Sequence, residues 1–474
     1  MAELRRRRDE VSGADLVELR LDGLADPDVA GALSGRRTPV IVTCRPAWEG
    51  GRFEGPEEAR RRWLEEALAG GAEYVDVEWR AGFYDLVAAG GGRRIVLSSH
   101  DFAGVPGDLV ERVREMRGSG AEIVKVAVKA NRLSDCLPLL GLGGDRADAV
   151  LIAMGDYGLP SRALATRFGS AWTYAGAIAD VGQVSAATLV DEYRFRDVDE
   201  ATEVYGVTGS PVSHSVSPAM HNAVFRAMGR NAVYLPLPAA DADDFVGFAR
   251  GVGLRGASVT IPFKVALLAT ARDVSPAARD VGALNTLRMS GGGWSGHNTD
   301  VAGFLRPLDD HGLNLQGTRA AILGAGGSAR AVAVALASRG ADITVHARRH
   351  SLAAEVAAIG HGRPAPWPPA RGSWDLLVNC TPIGMHPGVE STPIDREALA
   401  GGVVYDLVYN PAETRLLREA RLAGCRTIGG LDMLVAQAEE QSRWWTGASP
   451  PPGVMRNAAT RRLSEFAADE DHVV

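Results

Sequence analysis

Three observations on this chain of 474 residues predict an α/β protein of two or three domains. The length exceeds what one hydrophobic core usually fills. Over roughly the first third, short apolar runs alternate with polar or amphipathic segments, the pattern of a parallel barrel. Further on, TRAAILGAGGSARAVAVALA (318–337) passes from an apolar run through glycines into helical spacing, which reads as strand, tight turn, helix.

The first part gives seven strands: LVELRLD (16–22), PVIVTCR (39–45), YVDVEW (74–79), RIVLSSHD (94–101), EIVKVAVK (122–129), AVLIAMG (149–155) and AWTYAG (171–176). Between them lie segments such as EEARRRWLEEALAGGA, a helix with a glycine stop. This is a (β/α)8-type barrel one strand short, and residues 1–13 read as the helix that follows a missing first strand. The basic run Arg5 to Arg8 reads as a solvated helix face.

Catalytic groups of such barrels gather where strands end, and Glu18, Arg20, Arg45, His100 and Lys125 fall on or just after strands, followed by Arg162. Lys125 interrupts the apolar run IVKVAV. A lysine there is expensive unless paired or lowered in pKa, and a desolvated amine beside cations can be neutral enough to form an imine with a ketone. The segment LVDEYRFRDVDEATEVY (189–205) reads as a terminal barrel helix running into a short linker.

The second part opens with a strand, VYGVTG, a Ser/Pro loop and a helix from near Pro218, which places Ser215 and Ser217 at a strand end. RGASVTIPFK sets Lys264 after a strand and a proline turn, and GALNT (282–286) and GHNTDVAG (296–303) bring Asn285 and Asp300 into loops. In the glycine turn, Gly324, Ala325, Gly326, Gly327, Ser328 and Ala329 fit a dinucleotide cradle. Glycines let the backbone approach a pyrophosphate, Ala329 packs the helix on the sheet, and the helix N-terminus offers free N–H groups. This predicts a Rossmann domain. A site for NAD places an acidic residue at the end of the second strand, whereas a 2′-phosphate wants arginine. Here ITVH ends in Ala347, Arg348 and Arg349, and Asp342 lies at the other end of the strand, so NADP(H) is the expected cofactor.

With 46% hydrophobic and 23% charged residues and a net charge of −7, the composition is that of an ordinary globular protein and shows no nucleic-acid footprint. No apolar stretch approaches the roughly 20 residues of a membrane span, and no signal peptide is read, so a cytoplasmic protein is expected. Cys44, Cys136, Cys380 and Cys425 lack CxxC spacing and fit reduced thiols, with no metal site. RPAPWPPARG reads as an exposed connection, and residues 467–474 as a frayed acidic tail.

ADLVELRLD, TCRPAWEGG, SSHDF, IVKVAV, MGDYGLPSR and VGQVS together resemble, in order, the type I 3-dehydroquinate dehydratases over roughly residues 14–190. The resemblance implies that Lys125 forms a Schiff base with the substrate ketone. His100 would be the general acid/base and Glu49 its orienting partner. Arg162 would clamp the substrate carboxylate, with Glu18, Arg20, Arg45 and Gln183 shaping the polyol site. The family usually carries a hydroxyl residue four positions before that glutamine, where this chain has Ala179.

From Val204 to Leu463 the motifs SPVSHSVSPAMHN, GAGGSARA, VNCTPIGM, DLVYNP and GGLDMLVAQA resemble the shikimate dehydrogenases. This implies a substrate domain over 203–300 completed by 431–465, a nucleotide domain over 301–430, and a barrel domain ahead of them over 1–197. Lys264 would be the acid and Asp300 its tuner. Ser215 and Ser217 would hold the substrate carboxylate, with Thr260, Asn285, Tyr409 and Gln437 on its hydroxyls, and Gly430 would join the cofactor site. Ser258 stands where the family commonly has Asn. The two resemblances imply a fused enzyme that dehydrates 3-dehydroquinate and reduces the resulting 3-dehydroshikimate with NADPH. Its partners would be these small molecules, without nucleic acid or membrane, and the sequence sets no oligomeric state. The alternatives are a shikimate or quinate dehydrogenase with an impaired or scaffolding barrel, and a nonenzymatic NADP-binding protein.

Overall fold

The computed structural model describes residues 1–144, 147–212, 214–290 and 292–471, with the backbone alone for 179 and 467–471. Two compact units emerge, one of Met1–Thr202 with Leu237–Val252 and one of Glu203–Pro236 with Gly253–Val474.

The first unit carries six consecutive parallel strands in chain order: β1 (Val17–Arg20), β2 (Val40–Thr43), β3 (Tyr74–Glu78), β4 (Ile95–Asp101), β5 (Ile123–Lys129) and β6 (Ala149–Met154). This is the barrel-type sheet the alternation predicts, with one correction. AWTYAG is not a strand, and among the described residues the only backbone bridge from its neighbourhood to the sheet is an isolated one, Ala149 to Ser170. Among the described residues β6 is thus the last strand of the sheet. The predicted terminal helix is also corrected: beyond Ala186 only short turns form, a π-helical turn Thr188–Glu192 and a 3-10 turn Phe195–Asp197.

The helix Glu57–Ala69 follows its sequence signals, with glutamates in its first turn and the Gly70 N–H closing back onto the Glu66 carbonyl. The helix Ala2–Glu10 is present, but its basic run is not wholly solvated. Arg8 is buried and donates to the carbonyls of Ala32 and Ser34.

In the second unit β7 (Glu203–Gly209), β8 (Ala232–Pro238), β9 (Gly256–Val259), β10 (Asp273–Val274), β11 (Thr286–Ser290) and β12 (Gly293–His297) form a mixed sheet in the order β10-β12-β11-β9-β7-β8. A third sheet, wholly parallel, comprises β13 (Arg319–Leu323), β14 (Asp342–His346), β15 (Arg363–Ala365), β16 (Leu376–Asn379), β17 (Val403–Asp406) and β18 (Arg426–Ile428). Its order, β15-β14-β13-β16-β17-β18, reverses direction beside β13 and is the Rossmann order. The run RPA is therefore an edge strand rather than part of an exposed loop. Apolar clusters cover both faces, with Ile322, Val332 and Val345 in one and Leu323, Leu377 and Val404 in the other.

The helices Gly430–Thr446 and Val454–Asp471 return to pack Val435 and Met455 against Val216 and Met220 of the helix Ser217–Ala227. The last helix continues to Asp471, so the expected tail frays no earlier than that. Residues 472–474 lie outside the described residues.

Candidate active sites

In the barrel unit the site follows from strand register. Glu78 lies opposite Ser98 and Ser98 opposite Lys125, and the period of two puts Asp76 and His100 on that same face. Lys125 Nζ is 3.0 Å from Asp76 Oδ2. Arg45 reaches Asp76 at 2.9 Å, Glu78 at 2.7 Å and Ser98 Oγ at 2.8 Å, and Ser98 Oγ donates to Asp76. The fully buried Arg60 pairs with the other oxygen of Glu78. Such pairing repays part of the cost of taking these charges out of water.

Of the two possibilities the sequence leaves for Lys125, pairing and a lowered pKa, this network supplies the pairing. Burial disfavours the Lys125 ammonium and is the largest single influence, but the Asp76 carboxylate beside it, joined by Tyr174 and Glu18, raises the amine above its ordinary range. Lys125 therefore rests as an ammonium rather than as a neutral amine. His100 behaves in the opposite way. Burial, then Arg45 and Lys125, push it well below the usual 6.5, so its ring is neutral. Glu49 accepts from the His100 backbone N–H at 2.9 Å and lies 3.1 Å from Nδ1, and burial raises its carboxyl to about 7.

Arg162 is 2% exposed and has no carboxylate partner among the described residues, so it is not a surface ion pair. It donates to the carbonyls of Tyr174 and Val181, leaves Nε unpaired, and burial lowers it to about 10. A buried cation of this kind suits an anionic ligand. Glu18 accepts from Thr43 Oγ1 at 2.6 Å, and Arg20 is engaged by Asp22 at 2.8 Å. Among the described residues Gln183 bonds only within its own loop, accepting from the Ile178 N–H at 3.2 Å, with no hydrogen bond to the lysine cluster. The Ala179 side chain is outside the described set.

Sequence reasoning missed Asp76, Glu78 and Ser98. The signal was present, since two carboxylates two residues apart in the apolar strand YVDVE must face inward together.

In the second unit Lys264 Nζ is 2.6 Å from Asp300 Oδ2, and Asp300 Oδ1 accepts from Asn285 Nδ2 at 2.7 Å. Asp300 opens the helix Asp300–Asp310, and its N–H is capped by Asn298 Oδ1 at 3.0 Å. Asn285 also meets Thr299 at 2.9 Å and Gln437 Oε1 at 3.4 Å, which brings the C-terminal helix to the same point. Ser258 lies in a buried chain: Tyr234 donates to it at 2.6 Å, it donates to Gln441 at 2.8 Å, and Gln441 reaches Thr286. Tyr234, Gln441 and Thr299 were not singled out from sequence, because each reads as an ordinary residue of its strand, helix or loop.

Ser215 accepts from the Ser217 N–H at 3.3 Å at the start of the helix Ser217–Ala227, and no hydrogen bond links either serine to Lys264 among the described residues. Tyr409 packs against the cluster that buries Val216 and Met220 of that helix. Thr260 begins the turn carrying Lys264, its carbonyl accepting from the Phe263 N–H at 2.9 Å.

The Lys264 stem passes 3.2 Å from where a Cβ would stand on Gly327, so the ion pair lies beside the glycine turn. Gly324 has φ +106°, open to glycine alone, and leads from β13 into the helix Gly327–Ser338 at the sheet's switch point. A Cβ on Gly326 would meet nothing within 4 Å, which leaves open space before the helix N-terminus. Ala325, Ser328 and Ala329 complete the turn, with Ala329 buried on the sheet. Ala347, Arg348 and Arg349 follow β14. Both arginines are exposed and make no ion pair among the described residues, whereas Asp342 at the far end is held by Arg363 at 2.7 Å. Gly430 passes against the Leu407 and Val408 carbonyls, leaving no room for a side chain. The donors thus fit a dinucleotide carrying an extra phosphate on its ribose.

Comparison with known proteins agrees with these two centres. The family model described as type I 3-dehydroquinase matches residues 1–200, that of the shikimate dehydrogenase substrate binding domain matches 207–287, and that of the shikimate 5′-dehydrogenase C-terminal domain matches 430–460. A bifunctional 3-dehydroquinate dehydratase/shikimate dehydrogenase, chloroplastic, of Arabidopsis thaliana is 35% identical over 477 residues, covering 93% of this chain and 79% of that protein. A shikimate dehydrogenase (NADP(+)) of Symbiobacterium thermophilum is 44% identical over 280 residues, covering 55% of this chain and 94% of that protein. The crystal structure of the Thermus thermophilus shikimate 5-dehydrogenase with NADP(H) and shikimate aligns with TM-score 0.52 and 38% identity, over 55% of this chain and all of that one. No helix among the described residues is long and apolar enough to cross a membrane.

Proposed function

The chain belongs to the bifunctional 3-dehydroquinate dehydratase/shikimate dehydrogenase family, and on that premise we propose that its two units perform consecutive steps on one carbon ring. The observation that carries this is the pair of separately built lysine–aspartate centres. Lys125 with Asp76 faces a neutral histidine, and Lys264 with Asp300 lies beside a dinucleotide turn.

In the barrel, Lys125 loses a proton and attacks the ketone of 3-dehydroquinate. Water leaves and an imine forms. His100, neutral and oriented by Glu49, removes the proton from the adjacent carbon, and the electron pair expels the neighbouring hydroxyl as water. Hydrolysis of the imine frees 3-dehydroshikimate and restores the amine. Arg162 holds the substrate carboxylate, and Glu18, Arg20, Arg45 and Gln183 line the polyol site.

In the second unit NADPH, when bound, supplies a hydride. Gly324 to Ala329 and Gly430 would hold it by close backbone approach, and Arg348 and Arg349 would take its 2′-phosphate. Lys264 donates a proton to the carbonyl oxygen while Asp300 holds the ammonium in place and Asn285 fixes Asp300. Ser215 and Ser217 hold the carboxylate of 3-dehydroshikimate, and Thr260, Tyr409 and Gln437 meet its hydroxyls. Residues 203–300 with 431–465 form the substrate domain, and 301–430 the nucleotide domain. The four free cysteines suit a reducing compartment, which we take to be the cytoplasm.

The test supplies 3-dehydroquinate and NADPH together. Shikimate formation with NADPH consumption is expected, and failure of either step refutes that half of the reading. One observation favours a second reading, a dehydrogenase with an impaired barrel: the segment 171–176 forms no strand. Borohydride trapping with 3-dehydroquinate separates the two, since the impaired barrel gives no adduct at Lys125.

A further inference from the structure

The segment AWTYAG does not pair as a strand, yet it is not free. Trp172 and Tyr174 pack against Val96, Ile123, Ala127 and Val150, residues on the barrel face that carries Lys125. The Tyr174 ring lies 4.3 Å from Lys125 Nζ, so the ammonium stands over its negative face. The Tyr174 hydroxyl is buried and makes no hydrogen bond among the described residues. The Trp172 indole is near enough to bear on it electrostatically, but its N–H completes no hydrogen bond either.

Arg162, whose guanidinium reaches the Tyr174 carbonyl at 3.4 Å, also keeps an unpaired buried Nε. Buried polar atoms are nearly always satisfied, and an orphan hydroxyl on a ring that touches a nucleophile, with a further orphan on a cation bonded to the same residue, marks a place where a polar ligand completes the set. Burial raises the Tyr174 phenol to about 12 although Lys125 opposes the rise. The group is therefore a proton-bearing donor at neutral pH.

We propose that Tyr174 is a substrate-positioning residue of the dehydration site, its ring supporting Lys125 and its hydroxyl donating a hydrogen bond to a ring oxygen of the polyhydroxylated ketone held there. The inference rests on the reading of Lys125 as the amine that takes the ketone. It adds a specificity element, because the hydroxyl favours a cyclic ketone bearing an oxygen at that place over one lacking it.

The experiment compares the full-length chain with Tyr174→Phe, which keeps the ring and its cation contact, and Tyr174→Leu, which removes both. Dehydration is followed by the absorbance of the conjugated product, and Lys125 by borohydride trapping and mass spectrometry. Tyr174→Phe is expected to lower dehydration kcat/KM about ten-fold, chiefly through KM, the scale of one hydrogen bond. Trapping at Lys125 and the reduction of 3-dehydroshikimate should stay at wild-type levels. Tyr174→Leu should lose kcat as well.

Wild-type kcat and KM in Tyr174→Phe would overturn the proposal, the more clearly if thermal stability rose, since the hydroxyl would then be a mere unpaired group. An adduct in the unaltered chain with unchanged Tyr174→Phe kinetics refutes the proposal alone. No adduct in the unaltered chain refutes the Lys125 reading and the proposal with it.

Discussion

The charge on Lys125 is the outcome of two opposed effects. Burial favours the free amine that imine formation needs, whereas Asp76 at 3.0 Å, the strongest of the groups that favour the ammonium, tips the balance towards charge together with Tyr174 and Glu18. Replacing Asp76 by Asn removes that attraction while leaving burial and the neighbouring Arg45 in place, both of which oppose the charge. The Lys125 pKa should then fall, and the pH at which borohydride trapping reaches half its maximum should move down by at least about one unit. A trapping profile superimposable on that of the unaltered chain would show that Asp76 does not govern the amine. A lysine inside IVKVAV is legible as exceptional from sequence alone, but the direction of its shift is not. The deciding carboxylate lies 49 positions away, and only the register of β3 with β4 and β5 brings it alongside.

At the scale of elements, the end of β14 carries the choice of cofactor. Arg348 and Arg349 project from the loop after the strand without ion-pair partners among the described residues, and the acidic residue that could compete, Asp342, is at the opposite end and already paired. Replacing both arginines by alanine should raise KM for NADPH about ten-fold or more while changing that for NADH less than about three-fold, as judged by steady-state reduction of 3-dehydroshikimate. Equal effects on the two cofactors would remove the assignment. Elements whose signals are local were legible in the sequence: the glycine turn, the helix Glu57–Ala69 and the six strands from β1 to β6. AWTYAG was misread for a non-local reason. Its alternation suits a strand, but Trp172 and Tyr174 instead pack their rings on the sheet residues Val96, Ile123, Ala127 and Val150, which local alternation does not reveal. Residues 189–205 failed similarly, since amphipathic charge spacing permits a helix without compelling it.

Two further consequences belong to the molecule as a whole. His221 is fully buried, stacked on Tyr234 with ring centroids 4.5 Å apart and beside Trp445 at 5.1 Å. Burial lowers it to about 3, with Gln441 opposing. The folded chain therefore keeps this ring neutral where the unfolded chain, titrating near 6.5, takes up a proton. Stability is lost as pH falls below about 6.5, by about 2 kcal/mol at about pH 5 for this group. His221→Phe keeps a ring in the cluster and should flatten that part of the pH dependence of the second unit's melting transition. An unchanged pH slope would count against a neutral buried ring.

Lys125, Asp76, His100 and Glu49 all lie in one unit, and Lys264, Asp300 and the glycine turn in the other. A chain with Lys125→Ala should lose dehydration and keep reduction, and one with Lys264→Met should do the reverse. Mixed in solution with 3-dehydroquinate and NADPH, the two variants should restore shikimate formation. A lag should precede the steady rate and lengthen as the mixture is diluted, because the intermediate must travel between separate molecules. The unaltered chain carries both centres on one polypeptide, and its lag should depend less on dilution if the intermediate is captured before it escapes. Matching lags at every dilution would show that the fusion leaves the intermediate free to diffuse, and failure of the mixture to form shikimate would show that the units are not catalytically independent.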